Sequence, residues 1–429
     1  MNLLESLASE LDRCNKCGFC LGACPTYLVS LTEWNSTRGR ISLVQDVLSG
    51  DLGLLDPGFQ EAVNTCLLCR SCTATCPPQI DIYRVMTRVR AATREVQPAG
   101  WAVRLFYRHV LPRPRLLRTL ARLAYLSDRL GLRRLALRLG LLRPWPDLER
   151  AATVGPEFPG VTGRELIEAD QRPPKPSPGL AGAAPGPKVA YFLCCARDLL
   201  YPEAARATVR VLRANGVEVL VPKVNCCGLP AHSAGDLEAA RRMARSNLAV
   251  LAELDVDAVI SDDSSCGAHL ANLPSLFTGL PEEQSARRLA AKVQDLTVFL
   301  DRLQLHRPGA LPLKAAWHDP CHLRHHLGVS AEPRRVLRQV PGLELVTLPE
   351  AGCCGGAGSY LITQPALSDS LRHRRLAAVA EAGVEAVVTG STSCATQLRR
   401  GDSPVKVLFL SELLESAYAE KPPSDKESE

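Results

Sequence analysis

Residues 14–25 read CNKCGFCLGACP, and residues 66–77 read CLLCRSCTATCP. Both stretches space four cysteines as C-x2-C-x2-C-x3-C and place a proline directly after the last one. This spacing is typical of loops that ligate [4Fe–4S] clusters. A zinc ribbon needs only four ligands and has no use for the third cysteine or for the repeated Cys-Pro. The two stretches therefore predict paired iron–sulfur clusters rather than zinc sites or disulfides.

The spacing also predicts which cysteines share a cluster. In such a run the first three thiolates wrap one cluster, and the fourth, displaced along the chain, serves the other one. The predicted ligand sets are Cys14, Cys17, Cys20 and Cys76 for the first cluster, and Cys66, Cys69, Cys72 and Cys24 for the second. Two clusters in one small domain indicate electron transfer, so we expect no catalytic residue on this chain. No flavin or nicotinamide fingerprint occurs in the sequence.

The composition of the whole chain limits the class of protein that carries these motifs. The chain has 429 residues, 17 cysteines and a formal net charge of +6. It shows no secretory signal pattern and no apolar run long enough to span a bilayer. An odd cysteine count without a signal argues against a disulfide framework. We therefore expect a soluble cytoplasmic protein, with the cytoplasmic face of the inner membrane as an alternative location.

The other nine cysteines lie in a repeat. Three of them recur after 127 residues, and a fourth recurs after 128 residues. Adjacent cysteines rarely form a disulfide with each other, so the two Cys-Cys-Gly turns favour metal ligation over structural thiols. The candidates for this further metal site are Cys194, Cys195, Cys226, Cys227, Cys266, Cys321, Cys353, Cys354 and Cys394.

Alternating apolar patterns around the repeat predict a duplicated α/β domain. The predicted strands are Val189–Leu193, Val217–Val221, Ala258–Ser261, Lys314–Trp317, Leu343–Leu348, Ala386–Thr389 and Val405–Leu408. The predicted helices are 203–214, 237–253, 283–304, 331–339, 366–381 and 411–418. Each candidate cysteine follows a strand, and the carboxyl ends of parallel strands form the binding edge of an open sheet.

The whole chain is thus expected to be an α+β protein whose helical ferredoxin-type domain with two [4Fe–4S] clusters precedes the duplicated α/β domain. The predicted boundaries are 1–100 for the ferredoxin-type domain, 101–150 for a basic helical segment, 151–187 for a Pro/Gly-rich linker, 188–308 and 309–418 for the two Cys-Cys-Gly units, and 419–429 for a polar tail.

The basic segment is the charge outlier of the chain. Residues 101–145 contain eleven arginines and one acidic residue, Asp128. Arg115, Arg118 and Arg122 form a stripe beside leucines at helical spacing. Such a helix can lie on an anionic membrane or against an acidic protein partner. Because aromatic residues are few and clustered cysteines explain the chain better, we do not expect nucleic acid as a partner.

The combination of motifs resembles the iron–sulfur subunits of bacterial glycolate oxidases. The resemblance covers nearly the whole chain and is sharpest at residues 14–27, at Arg38-Gly39-Arg40-Ile41, at residues 66–77, at Ser265-Cys266-Gly267-Ala268 and at residues 353–358. It implies a subunit of an oxidoreductase complex, a glycolate dehydrogenase whose acceptor is neither NAD nor oxygen. Glycolate, or D-lactate, would be oxidised at FAD on a partner subunit, and electrons would pass through this chain to a quinone or another acceptor.

Three alternatives stay open at this point. The chain could serve an anaerobic glycerol-3-phosphate or lactate dehydrogenase, which has a similar iron–sulfur subunit. It could be a thiol–disulfide reductase like heterodisulfide reductase, or a zinc-stabilised scaffold. In heterodisulfide reductase each Cys-Cys-Gly domain ends in Cys-x-x-Cys, whereas this chain has His269 and Gln397 at the last positions. The sequence therefore does not favour a pair of non-cubane clusters. It predicts either a different metal centre in the Cys-Cys-Gly units or a role of these units in docking partner proteins.

Overall fold

The fold begins with a helical amino-terminal domain that carries both cysteine stretches. The structure, a computed structural model, describes residues 2–170, 186–303, 305–306, 308–349, 352–401 and 403–419. The domain contains α1 (Asn2–Glu5), α2 (Ala8–Leu11), α3 (Phe19–Ala23), α4 (Pro25–Ser30), a 3₁₀ turn (Glu33–Asn35), α5 (Thr37–Ser49), α6 (Pro57–Asn64), α7 (Ser71–Ala74) and α8 (Ile82–Val96).

Side-chain caps begin the longer helices of this domain. Ser36, Asp56 and Asp81 each accept a hydrogen bond from a backbone N–H in the first turn of α5, α6 and α8. Such a cap satisfies one of the amide groups that a helix start leaves unpaired. Buried Leu11 and Val85 belong to the core that these helices share. The loops with the cysteines are thereby held between helices of fixed position.

The basic segment is helical, and helix also occupies part of the expected linker. The helices are α9 (Trp101–Leu105), a π-helical turn (Phe106–Val110), α10 (Pro114–Arg129), α11 (Leu132–Arg138), α12 (Pro146–Val154) and α13 (Gly163–Ala169). The expectation of an irregular linker is wrong for α13, because Thr162 and Glu165 cap this helix reciprocally and Ile167 is buried against the next domain. The crowded prolines at 173–178 lie outside the described residues, as does the predicted tail from residue 420 onward.

Two α/β units follow. The first contains β1 (Lys188–Tyr191), α14 (Cys195–Leu200), α15 (Pro202–Ala214), β2 (Glu218–Leu220), α16 (Leu229–Ser233), α17 (Leu237–Leu251), β3 (Ala258–Ser261), α18 (Ser264–Ala271), a 3₁₀ turn (Leu273–Leu276), α19 (Glu283–Lys292), β4 (Val293–Asp295) and α20 (Leu296–Leu303). The second contains β5 (Leu313–Trp317), α21 (Cys321–His325), α22 (Ala331–Arg338), β6 (Leu343–Val346), α23 (Tyr360–Thr363), α24 (Pro365–Glu381), β7 (Ala386–Thr389), α25 (Thr392–Arg399), β8 (Lys406–Phe409) and α26 (Leu410–Ala419).

The two sheets have the same topology. Their strand orders are β2-β1-β3-β4 and β6-β5-β7-β8, and every pair is parallel. The predicted duplication into parallel α/β units is therefore confirmed. The predicted helix 283–304 is wrong at its centre, because Val293–Asp295 pairs with β3 as an edge strand. Asp295 then accepts hydrogen bonds from the amide and hydroxyl groups of Thr297, which starts the chain into α20.

The units share one hydrophobic core. Buried Val189 and Ile260 of the first sheet belong to the same cluster as Trp317 and Val388 of the second. Because parallel strands point the same way, each unit carries its cysteines at the carboxyl edge of its sheet, and the core holds these two edges in fixed relation. No helix among the described residues has the length and apolarity needed to cross a bilayer.

Candidate metal centres

The two amino-terminal cysteine loops share an uncommon backbone. Lys16 and Gly18 have φ values of 54° and 85°, and Leu68 and Arg70, which lie 52 residues further on, have 56° and 61°. Non-glycine residues rarely adopt the left-handed region, and when they do they cluster at functional sites. The repetition at equivalent positions shows that both loops are built in the same way.

The first loop lines a cavity near the protein surface. Its lining contains all four cysteines of the first predicted set, together with apolar side chains of the surrounding helices: Cys14, Cys17, Cys20, Cys76, Ile41, Ile80 and Ile82. Cys76 reaches this cavity from the second stretch, as the spacing predicts. The cavity thus brings the predicted set together, and iron–sulfur ligation there stays a prediction.

The second loop lines a neighbouring cavity in the interior. Cys24, Cys66, Cys69 and Cys72 all line it, so the second predicted set is also brought together, and Cys72 lies between the two cavities. Burial raises the pKa of Cys72 to about 12 despite a hydrogen bond with Thr37, and burial also raises that of Cys69. Thiols with such pKa values are protonated at neutral pH, so a bound metal centre must displace their protons.

Arg40 is a deeply buried cation that lines the second cavity. It is 2% exposed, and its guanidinium donates hydrogen bonds to the Ala62 carbonyl (2.6 Å), to the hydroxyls of Thr26 (3.2 Å) and Thr65 (3.1 Å), and to the Cys24 sulfur (3.8 Å). Burial alone would lower its pKa, but the thiols of Cys66 and Cys24 outweigh this and raise it. A buried positive charge beside these sulfurs suits an anionic thiolate-bound cluster.

The two cavities differ in exposure. Cys17 is exposed, and Cys14, Cys20 and Cys76 are half-buried, whereas all four cysteines of the second set are buried. Cys69 packs in one cluster with Cys321 and Cys353 of the second α/β unit. The cysteine groups therefore follow one another from the surface towards the interior.

Hydrogen bonds fix the amino-terminal domain on both α/β units. Tyr360 donates to the Thr65 carbonyl (2.9 Å), and the His322 ring contacts the Leu68 carbonyl (3.1 Å). On the other unit, Tyr83 bonds to His232 (3.2 Å) and Arg90 donates to the Ser233 carbonyl (2.8 Å). The second cysteine loop consequently lies at the junction of all three parts.

The repeated cysteines lie beyond the carboxyl ends of their strands, as predicted. Cys194 and Cys195 follow β1, Cys226 and Cys227 follow β2, and Cys266 lies on α18 after β3. The Cys227 and Cys266 sulfurs are 3.4 Å apart. Hydrogen bonds from Cys226 and Cys266 lower the pKa of Cys227, although burial opposes this. The first unit thus gathers five sulfurs at one edge.

The second unit repeats this arrangement with four sulfurs. Cys321 begins α21 after β5, Cys353 and Cys354 follow β6, and Cys394 lies on α25 after β7. The Cys354 and Cys394 sulfurs are 3.2 Å apart. One histidine also reaches this group, since a ring nitrogen of His318 and these two sulfurs lie within 4.8 Å of one another.

Asp263 joins the two cysteine edges. One carboxylate oxygen accepts from the amides of Ser265 and Cys266 at the start of α18 (both 3.1 Å), and the other accepts from the Thr392 amide (2.7 Å) at the start of α25. A single buried side chain therefore links the starts of both cysteine-bearing helices.

The two positions that depart from Cys-x-x-Cys have different surroundings. The Gln397 amide donates to the carbonyl (3.1 Å) and hydroxyl (2.9 Å) of Ser368, so its hydrogen bonds are local and structural. His269 is 3% exposed, and neither ring nitrogen has a hydrogen-bond partner among the described residues. It lies beside His232, with ring centroids 5.4 Å apart.

Sequence reasoning missed several of these residues. Asp263 carries no local signal in the sequence, because it bonds to both cysteine-bearing helices only through the tertiary fold. His318 precedes Cys321 by three residues, so its place near the cysteines has a signal in the sequence. The burial of Arg40 and its hydrogen bond to the Ala62 carbonyl make it an anchor within the amino-terminal domain.

Known families match these parts of the chain one by one. A 4Fe-4S dicluster domain matches residues 10–80, a cysteine-rich domain matches residues 189–271 and again 315–399, and the linker region of the glycolate oxidase iron-sulfur subunit matches residues 98–154. The match supports iron–sulfur clusters in the first domain, in agreement with the cysteine-lined cavities.

Two glycolate oxidase iron-sulfur subunits are similar to most of the chain, and a lactate utilization protein is similar to about half of it. The glycolate oxidase iron-sulfur subunit of Escherichia coli (strain K12) is 30% identical over 404 residues, which is 91% of this chain and 90% of that protein. The probable glycolate oxidase iron-sulfur subunit of Bacillus subtilis (strain 168) is 29% identical over 430 residues, or 96% and 95%. Lactate utilization protein A of Geobacillus kaustophilus (strain HTA426) is 35% identical over 236 residues, or 53% of this chain and 98% of that protein. The chain belongs to the family of glycolate oxidase iron–sulfur subunits.

Proposed function

We propose that this chain is the electron-transfer subunit of a glycolate dehydrogenase complex. In this complex FAD on a partner subunit oxidises glycolate, or D-lactate, and this chain passes the electrons to a quinone or another acceptor. The names of the full-length relatives support this subunit type. Oxidation of a 2-hydroxy acid to the 2-oxo acid releases two electrons and two protons, whereas an iron–sulfur cluster takes one electron at a time, so a two-electron cofactor must divide the pair.

The order of the cysteine groups carries the proposal. Electrons would enter at the cavity around exposed Cys17, cross to the buried second cavity through their shared border at Cys72, and continue to the cysteines that Cys69 contacts. The side chains of Phe19 and Trp34 beside the entry are 65% and 52% exposed. Exposed aromatic side chains are typical anchors of protein interfaces, so we assign this face to the flavin subunit.

The test combines the purified chain with its flavin partner under anaerobic conditions. Glycolate is expected to produce the EPR signal of reduced [4Fe–4S] clusters only when the partner is present, and D-lactate is the comparison substrate. Reduction by glycerol 3-phosphate but not by glycolate would assign the chain to the other dehydrogenase. Turnover of a disulfide by the isolated chain with a chemical reductant would replace the proposal with a reductase.

The helices of the basic segment, residues 101–150, present a second candidate binding surface. Fourteen large apolar side chains between residues 101 and 148 are more than 40% exposed, among them Leu123, Leu130 and Trp145. Seven arginines of this segment form no ion pair with the described residues: Arg104, Arg113, Arg115, Arg129, Arg134, Arg138 and Arg143. Interleaved leucines and unpaired arginines suit the interface of an anionic bilayer, where the leucines enter the acyl boundary and the arginines meet lipid phosphates. We assign this face to the membrane that holds the quinone.

Vesicle binding tests this surface. An Arg134→Gln/Arg138→Gln/Arg143→Gln variant is expected to bind anionic vesicles about 100-fold more weakly, since each arginine near such a surface contributes about 1 kcal/mol. Co-sedimentation with vesicles rich in phosphatidylglycerol measures this, and zwitterionic vesicles should bind both proteins weakly. A Leu55→Gln/Val96→Gln variant, which changes exposed apolar residues elsewhere, is the matched control. Equal binding by all variants, or arginine-dependent binding of the flavin subunit instead, would remove the membrane role.

A further inference from the structure

A cavity lies between α10 of the basic segment and the first Cys-Cys-Gly unit. Its walls combine residues of α10 and α13 with residues that follow β1 and β2, among them Leu117, Arg118, Arg164, Cys195, Asn225 and Cys226. Its volume of about 340 Å³ matches that of the second amino-terminal cavity. Because the cysteine spacing predicts a [4Fe–4S] cluster for that second cavity, the cavity under α10 has room for a ligand of comparable size.

Asn225 presents an unpaired oxygen atom at this cavity. The residue is 9% exposed, and its side-chain Oδ1 has no hydrogen-bond partner among the described residues. Its backbone is fixed, because the amide donates to Oδ1 of buried Asn247 (2.9 Å), whose own side-chain amide donates to the Cys226 carbonyl (3.0 Å). Buried polar atoms are nearly always paired, so this oxygen indicates a ligand that donates a hydrogen bond.

Buried Asp198 fixes the two arginines of the cavity. One carboxylate oxygen accepts from Nε of Arg118 (2.9 Å), and the other accepts from the backbone amide of Arg164 (2.8 Å). The Arg164 guanidinium donates to the carbonyls of Val221 (3.1 Å) and Pro222 (2.7 Å). The Nη groups of Arg118 form no hydrogen bond with the described residues, so they are available to donate to an oxygen atom of a ligand.

We propose that this cavity binds the ring of a quinone, which is the electron acceptor of the relay. The proposal rests on the proposed function and deepens it by giving the acceptor a site. Leu117, Leu193 and Val224 supply apolar contacts for the ring. Arg118 donates to a carbonyl oxygen of the quinone, and Oδ1 of Asn225 accepts from a hydroxyl group of the quinol. A carboxylate ligand would satisfy Arg118, but it has no hydrogen atom to donate to Asn225.

The cavity adjoins the end of the electron route. Cys195 and Cys226, two of the five sulfurs gathered in the first unit, line it. Asp263 links this cysteine edge to the edge of the second unit, which packs against Cys69. Reduction of a quinone takes two electrons and two protons, and it converts both carbonyl groups to hydroxyl groups. The relay delivers both electrons from the flavin, and the two protons come from water, which receives two from the oxidised glycolate.

The position of α10 suits an acceptor that is dissolved in a membrane. Leu120, Leu123 and Leu126 of this helix are exposed on the surface that we assign to the bilayer. Leu117 instead packs inward, against the core that contains Cys226. The helix therefore lies between the bilayer surface and the cavity, so a quinone would reach the cavity beside α10.

Re-oxidation of the reduced chain tests this inference without the flavin subunit. Full-length protein is reduced with dithionite under anaerobic conditions and desalted, and decylubiquinone is added while the EPR signal of the reduced clusters is followed. The wild type is expected to lose the signal and to form quinol. Leu117→Trp, which fills the cavity, should slow this loss at least tenfold. Asn225→Ala should weaken quinone binding about 3- to 10-fold, the range for one lost hydrogen bond.

Leu120→Trp is the matched control, because it adds the same side chain to an exposed position of α10 that does not line the cavity. Ferricyanide, a small acceptor that needs no ring site, should re-oxidise all variants at the wild-type rate. Iron analysis verifies that each variant keeps its clusters. If Leu117→Trp loses iron, Asn225→Ala, which adds no bulk, decides the question.

A photoreactive azidoquinone gives a second measurement on the wild-type chain alone. It is expected to label α10 and the turn after β2. Labelling confined to other parts of the chain, equal quinone rates for Leu117→Trp and Leu120→Trp at full iron content, or oxidation of the wild type by ferricyanide but not by the quinone would each overturn the inference. The proposed function fails separately, when glycolate and the flavin subunit leave the clusters oxidised.

Discussion

Replacing Cys20 by serine is expected to remove or convert one [4Fe–4S] cluster and to halve the EPR intensity of the reduced protein. Cys20 lines the surface cavity only, whereas the second cavity is lined by its own four cysteines. The loss should therefore stop at one cluster. The hydrophobic cores of the α/β units are distinct from the core of the amino-terminal helices, so circular dichroism should show these units folded.

A matched variant in the repeat gives the control for this result. Cys195→Ser changes a half-buried cysteine that lines neither amino-terminal cavity, so it should leave the EPR signal of the two amino-terminal clusters at the wild-type level. An unchanged signal in Cys20→Ser, or an equal loss in both variants, would contradict the predicted ligand sets.

Replacing Arg40 by methionine is expected to destabilise the amino-terminal domain by about 1 to 3 kcal/mol, the range for a buried polar group that loses its hydrogen-bond partner. The variant keeps the length of the side chain but removes the donor to the hydroxyls of Thr26 and Thr65 and leaves the Ala62 carbonyl with the Thr65 hydroxyl as its donor. It also removes the cation beside Cys24. We therefore expect weaker retention of the second cluster and a lower reduction potential for whatever cluster remains.

Arg38 supplies the control for this prediction. It lies two residues away, is partly exposed and pairs with Glu33 at 2.7 Å. Such a surface pair contributes about 0 to 1 kcal/mol, so Arg38→Met should change stability little. Denaturant unfolding and a redox titration followed by EPR measure both variants. Equal stability and equal potentials for Arg38→Met and Arg40→Met would show that the buried guanidinium has no special role.

The sequence predicted the repeated fold well because its signals are local. Short β-branched runs such as Ala258–Ser261 and Ala386–Thr389 stand alone between helical patterns, and the structure places strands at these residues. Val293–Asp295 was missed because three residues inside an amphipathic pattern carry no strand signal of their own. Pairing with β3, a tertiary interaction, makes them a strand. Residues 163–169 were assigned to a linker because neighbouring prolines outweighed the Thr162/Glu165 cap.

The candidate sites also contain residues that the sequence predicts and residues that it does not. Spacing alone predicted which four cysteines would meet at each amino-terminal cavity, because the chain length between ligands limits where they can go. The side chains around them could not be predicted, since Arg40 comes from α5, Asp263 precedes α18 and Arg375 comes from α24. Their roles depend on how separate helices pack, which no short motif records. The position of His318 was only partly predictable. The sequence shows that it lies close to Cys321 along the chain, but not that it lies close to Cys354 and Cys394 in the fold.

Iron and sulfide analysis of the full-length chain, purified without oxygen, tests the central claim most directly. Two cubane clusters on the eight amino-terminal cysteines require about eight iron and about eight sulfide per chain. The reduced protein should then show the EPR spectrum of two magnetically interacting [4Fe–4S] clusters. A colourless protein, or one whose iron persists when Cys14, Cys17, Cys66 and Cys69 are all replaced by serine, would contradict the account.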